Sequence, residues 1–148
     1  MQGQQQGGTL AALVPGDFET YSRTIRDEDI QRFADVIESH HPIHESDEFD
    51  TPLGPGRLVH GLMLAAFISR AITAFAVRHD LKGVMSATQS KFVAPVRAGD
   101  TVTVKLTYLG LVPGKPRLRC GTEITNQHGK VVMVGEVQEH VFEDMEQA

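Results

Sequence analysis

The sequence predicts an α+β domain, a single antiparallel sheet wrapped around one long apolar helix. Three observations carry that expectation. The stretch from Leu58 to His79 holds no Asp or Glu and is apolar on nearly every side of a helical wheel. Four strand-patterned runs follow it, and only short, turn-forming breaks separate them. Antiparallel neighbours tolerate short connections, whereas parallel ones need a long crossover.

The elements follow in chain order. Met1 to Gly8 is Gln and Gly, with neither a basic start nor an apolar centre, so residues 1–14 are expected as a disordered tail ahead of a domain over 15–148. Phe18 to Ile25 alternates and carries β-branched and aromatic residues, which reads as a strand. Asp27, Glu28 and Asp29 suit the positive end of a helix dipole, and Ile30, Phe33, Ala34 and Ile37 give the helix that follows one apolar face. Pro42, Pro52, Gly54, Pro55 and Gly56 break the next stretch into a long loop, with one short turn of helix expected around Glu45 to Phe49. Loops of that length inside a compact domain are commonly functional.

The helix over 58–79 is expected to be buried on all sides, because no face of it is polar. The runs Val84–Ala94, Thr101–Leu111, Arg117–Thr125 and Lys130–Phe142 supply the wrapping. Val102, Val104, Leu106 and Tyr108 mark one face of the second run; Leu118, Cys120, Thr122 and Ile124 mark one face of the third. Ala98-Gly99-Asp100, Pro113-Gly114 and Asn126-Gln127-His128-Gly129 are the turns between them.

Composition excludes several classes. A formal charge of -5 with scattered Lys and Arg argues against nucleic acid, whose binding needs clustered cations on phosphates. The single Cys120 forbids an internal disulfide and a multi-cysteine zinc site, and it reads as a small buried strand residue in a reducing, cytoplasmic setting. The apolar run between His60 and Arg70 falls far short of the ~20 residues a membrane span needs. His40, His41 and His44 do not follow a familiar metal-ligand spacing, so no metal is expected.

Three blocks carry a resemblance. Phe33-Ala34-Asp35 leads to His41-Pro42-Ile43-His44; Val59-His60-Gly61-Leu62-Met63-Leu64-Ala65 leads to Ser69; and Phe92-Val93-Ala94-Pro95-Val96-Arg97-Ala98-Gly99-Asp100 forms the third. In order and spacing they resemble the MaoC-like and (R)-specific enoyl-CoA hydratase family over about residues 15–142. The resemblance implies a hot-dog fold, a homodimer with sites at its interface, and an acyl-CoA or acyl-carrier-protein thioester as substrate. No bound cofactor is implied, since the thioester itself acidifies the reacting carbon.

Carried over by position, His44 is the catalytic base. The Gly61 amide is the oxyanion donor at the start of the central helix, His60 fixes the turn into that helix, and Ser69 sets a hydroxyl beside the site. The family's catalytic Asp falls at Ser39, five residues before His44, and its Asn falls at His41. A serine hydroxyl does not ionise near neutral pH and does not replace a carboxylate unaided. Three alternatives stay open: His41 working with His44, Glu38 or Glu45 brought into the gap by a change of register, or single-base chemistry. The last covers elimination, isomerisation, cyclisation, thioester hydrolysis and acyl binding without turnover. Thioester hydrolysis is disfavoured by the lack of a carboxylate on the central helix. Lys91, Arg97, Lys115 and Arg117 are candidates for phosphate contact, though a solvated surface is the simpler reading of each, and Arg70 is expected at an edge or against a partner subunit.

Overall fold

The computed structural model describes residues 10–142. The elements are β1 (Phe18–Thr24), α1 (Asp27–Ile37), α2 (Pro42–Glu45), α3 (Gly61–Ala66), α4 (Ile68–Arg78), β2 (Gly83–Phe92), β3 (Thr101–Leu111), β4 (Arg117–Thr125) and β5 (Val131–Val141). All strands join one antiparallel sheet in the order β1-β3-β4-β5-β2. Val104, Leu106 and Tyr108 on β3 pair with Ile124, Thr122 and Cys120 on β4, and Val102 and Leu118 are buried on the same alternation. The period-two pattern therefore sets both the pairing and the face turned to the core.

The central helix packs on that face through Met63, Leu64, Ile68, Ala71, Ile72 and Phe75. It begins at Gly61 rather than Leu58, because Leu58 forms an antiparallel bridge with Arg97 and Val59 donates to the Val96 carbonyl at 2.8 Å. It also tightens at Phe67, whose N–H is shared between the carbonyls of Met63 (3.3 Å) and Leu64 (3.2 Å), and this local irregularity divides α3 from α4.

The expectation of burial all round is corrected. Leu62 is 70% exposed and Val77 75%, and Ala66, Arg70 and Thr73 continue the same stripe along the helix. One sheet covers one side of a helix; the opposite side needs another surface. Arg70 stands at that edge, with its guanidinium 5.4 Å from the centre of the Tyr21 ring.

Both ends of α1 are held. Asp29 accepts from the Arg26 amide (3.0 Å) and from the Arg23 guanidinium (2.5 Å), so its buried carboxylate caps α1 and ties it to β1. The Arg23 guanidinium holds the Asp29 carboxyl below the usual carboxylate range. Ile30 and Ala34 are buried as expected, but Ile37 is exposed where the helix ends, and Glu38 closes it in the left-handed region at φ 54°. At the other end of the core, Arg78 and His79 bind Asp17, which fastens the end of α4 to the start of β1.

Two expectations near the loops shift. Leu10 and Leu13 are buried in the core, so the domain takes in residues assigned to the tail; residues 1–9 lie outside the described ones. The short helix lies at Pro42–Glu45 instead of around 45–49. Pro42 starts it, because proline's fixed φ suits a first helical turn, and the His41 ring caps it by accepting the Ile43 N–H at 3.1 Å.

Candidate active site

The short helix α2 presents His44 toward the strand-like segment that enters the central helix. His44 Nδ1 lies 2.7 Å from the Leu58 carbonyl oxygen. A carbonyl only accepts, so Nδ1 carries the proton and Nε2 keeps its lone pair. That is the tautomer a general base needs.

His60 stands against it. The two imidazoles stack with centroids 3.7 Å apart and planes 16° from parallel, and the Phe33 ring meets His60 edge-on at 5.2 Å. His60 is 6% exposed, and its Nε2 points to the Ser39 carbonyl at a long 3.5 Å. By the same logic Nε2 donates, which leaves Nδ1 unprotonated, buried and without a partner among the described residues. Burial, reinforced by the adjacent His44, lowers the His60 pKa and keeps it neutral.

Gly61 follows directly as the first residue of α3. The His60 carbonyl takes the amides of Met63 (3.0 Å) and Leu64 (3.3 Å), while the Gly61 and Leu62 amides have no acceptor among the described residues. A methyl group on Gly61 would lie 3.3 Å from the Phe92 ring, so glycine here is what lets ring and backbone approach. Gly61 and Phe92 share the wall of a largely apolar cleft of about 450 Å³ with Leu53, Leu58, Leu64 and Val96. His44 is not itself a wall of the cleft; it holds Leu58, which is.

The other expected residues fall as follows. Ser39 is half-buried, and it meets the pair through its backbone carbonyl. His41 is exposed, caps α2 with its Nδ1 and rests edge-on against Phe49 at 5.5 Å, so that ring nitrogen is already engaged. Glu38 is exposed at the end of α1. Glu45 accepts from His40 at 2.6 Å, a contact that raises the His40 pKa and lowers that of Glu45. Ser69 is exposed on α4, eight residues beyond Gly61 or roughly 12 Å along a helix, so within one chain it does not join the cluster.

Arg97 is committed to the loop: its Nε donates to the Pro55 carbonyl at 2.9 Å and its terminal nitrogen to that of Leu53. Lys91 and Lys115 are exposed, and Arg117 buries its Nε without a partner among the described residues. Cys120 is buried, which pushes its thiol up to about 12 and leaves it inert. The stack of His60 on His44 is the feature that sequence reading missed. Its one signal was the pair of histidines placed at the two ends of the long loop.

A helix lying on one antiparallel sheet, with a histidine whose Nε2 is free of hydrogen bonds among the described residues held by the segment that enters that helix, defines a hot-dog domain with a candidate acid/base site. The chain belongs to the MaoC like domain family, which matches residues 11–131. It is 37% identical over 126 residues to the (R)-specific enoyl-CoA hydratase of Rhodospirillum rubrum, a match covering 84% of this chain and 85% of that protein. Over 110 residues it is 36% identical to the 3-hydroxybutyryl-CoA dehydratase of Methylorubrum extorquens, covering 72% of this chain and 68% of the relative. Among solved structures it is similar to the R-hydratase PhaJ1 from Pseudomonas aeruginosa in its unliganded form. That match has a TM-score of 0.78 at 30% identity and covers 91% of this chain and 86% of the other.

Proposed function

We propose that this protein is an enoyl-thioester hydratase and 3-hydroxyacyl-thioester dehydratase, acting on an acyl group carried by coenzyme A or an acyl-carrier protein. The observation that carries this reading is His44, whose Nδ1–H is spent on the Leu58 carbonyl and whose Nε2 is left as a base at the mouth of the central helix. The family membership and the hydratase and dehydratase relatives support it.

In hydration, His44 Nε2 takes a proton from water as the water oxygen bonds to C3 of the enoyl group. The C2–C3 π electrons move toward the thioester carbonyl, and the free Gly61 N–H donates to the oxygen that gains the charge. His44 then returns the proton to C2 as the enolate collapses, which regenerates the base and completes addition of one water. Dehydration is the reverse. Ser39 and His41 hold the positions of the family's Asp and Asn, so His44 runs both proton transfers, with the Ser39 hydroxyl orienting the water. His60 is the plate that fixes the ring of the base.

The same reading places the protein in the cytoplasm as a homodimer. The exposed stripe of Leu62, Ala66 and Val77 and the open edge strand β2 support a partner surface. Light scattering at the mass of two chains is the expected result, and a monomer would refute the dimer.

One observation favours a second reading. Among the described residues no carboxylate bonds to His44, as an acyl binder without catalysis would allow. Purified protein with crotonyl-CoA, followed by loss of enoyl absorbance and by release of free thiol, separates the two. Hydration by the natural chain that disappears in His44→Ala supports the enzyme. Tight binding without turnover, with hydration gained in Ser39→Asp, supports the binder. Thiol release without hydration refutes both.

A further inference from the structure

The central helix leaves an open trough beside the edge strand. A strand packed against a helix buries alternate residues, as β3 does, yet β2 is exposed without alternation from Val84 to Gln89. Phe92 at one end of β2 reaches Gly61 and the cleft described above. At the other end, Gly83 lines a second cleft of about 400 Å³ with Ile72, Ala76, Leu81, Glu139 and Phe142. Both clefts are thus bounded by the same helix and the same strand. Ile72 lies eleven residues beyond Gly61, roughly 16 Å along the helix axis.

Glu139 does not belong there on packing grounds. It lies on β5, two residues from Val137 and from Val141, on the face those valines turn to the core. It is 9% exposed, and its Oε2 is buried with no hydrogen-bond partner among the described residues. Lys82 also lines the cleft, but desolvation is the one influence that shifts the Glu139 pKa, and it shifts it upward. An unpaired buried carboxylate is costly, so the group is driven toward its neutral acid, which both donates and accepts a hydrogen bond. Leucine would fill the site at lower cost. A carboxylic acid kept in an apolar cleft is therefore a candidate for ligand recognition.

We propose that this second cleft receives the far end of a long acyl chain lying in the trough, and that Glu139 selects chains ending in a hydroxyl group. The proposal rests on the acyl-thioester reading above and adds a substrate class to it. A hydroxyl both donates and accepts, as the neutral acid does. A methyl terminus would leave the buried acid unpaired, and a cationic terminus would require its ionised form against desolvation.

The test compares three trans-2-enoyl-CoA substrates: crotonyl-CoA, too short to reach the second cleft, a long chain ending in methyl, and one of equal length ending in hydroxyl. They are given to the natural protein, Glu139→Gln and Glu139→Leu. The natural protein and Glu139→Gln should favour the hydroxyl-ended chain about tenfold in kcat/KM. Glu139→Leu should reverse that preference and leave crotonyl-CoA unchanged. An unchanged ratio in Glu139→Leu, or no preference in the natural protein, overturns the proposal. If crotonyl-CoA is not turned over, the hydratase reading has failed separately. Calorimetric binding of the two long thioesters then reads the same ratio, and binding of neither overturns the proposal as well.

Discussion

Replacing Gly61 with Ala separates catalysis from stability. The new methyl would lie 3.3 Å from the Phe92 ring, tighter than ordinary van der Waals contact but against a ring that is itself exposed and free to give by a few tenths of an ångström. Alanine favours a helix over glycine by at most about 1 kcal/mol, less at a first helical residue. The two effects nearly cancel, and the melting temperature should stay within about 3 °C of the natural protein's. Activity should behave differently. Methyl and displaced ring both lie at the cleft wall where, in the proposed reaction, the thioester oxygen meets the Gly61 N–H. Closing that approach removes one oxyanion donor, worth about 2.7–4 kcal/mol or 10²–10³ in rate. The assay is crotonyl-CoA hydration beside a thermal melt. A kcat/KM within threefold of the natural protein's would refute Gly61 as the donor; a melting temperature lowered by much more than 3 °C would show that Phe92 cannot yield.

Other outcomes test separate parts of the structure. His60→Ala should slow hydration by about fivefold through loss of a ring contact worth about 1 kcal/mol, while His60→Phe, which keeps a ring on His44, should retain most activity; equal losses would show that the long bond to Ser39 matters more. Asp29→Asn should cost about 2 kcal/mol in urea unfolding at pH 7, because it weakens charged hydrogen bonds to Arg23 and the Arg26 amide. Its folded pKa is depressed, so this contribution is present above the unfolded value near ~3.9 and is lost as pH falls through the folded one; the gap between the two proteins should close in acid. Cys120 should resist alkylation at neutral pH until the protein unfolds, and rapid labelling of the native state would contradict its burial.

The sheet was legible where local signals agreed. Thr101–Leu111 and Arg117–Thr125 match β3 and β4 end to end, since strict alternation and turn residues mark the same boundaries. Pro42 was read as a breaker, although a proline after a capping side chain equally starts a helix, and so the short turn was expected three residues late. The central helix was legible as apolar but not as half-covered. A sequence shows that a surface must be buried without showing what buries it. His44 and Gly61 could be singled out because they sit at local landmarks, a Pro-started turn and a helix start, but the contact of His60 with His44 depends on how the fifteen intervening residues return and has no local signature.

On the proposed correspondence Ser39 stands where the family carries a carboxylate, and the stacked histidines make the effect of that difference specific. A carboxylate beside His44 would favour a charged imidazolium there, and would also draw a proton onto nearby His60. With Ser39 in that place, only its carbonyl and the more distant Glu45 favour a charge on His60, and burial together with the facing imidazole outweighs them. Glu45, a nearby carboxylate, is engaged by His40 across an exposed contact. In the proposed reaction a neutral His60 therefore leaves His44 as the one member of the stack that takes and returns a proton. Restoring the carboxylate with Ser39→Asp would then alter two groups at once: it supplies a second acid to the reaction and stabilises charge on both rings. For that variant the pH dependence of hydration is the informative quantity, because an added acid raises the plateau rate whereas a stabilised imidazolium moves the acid limb to higher pH.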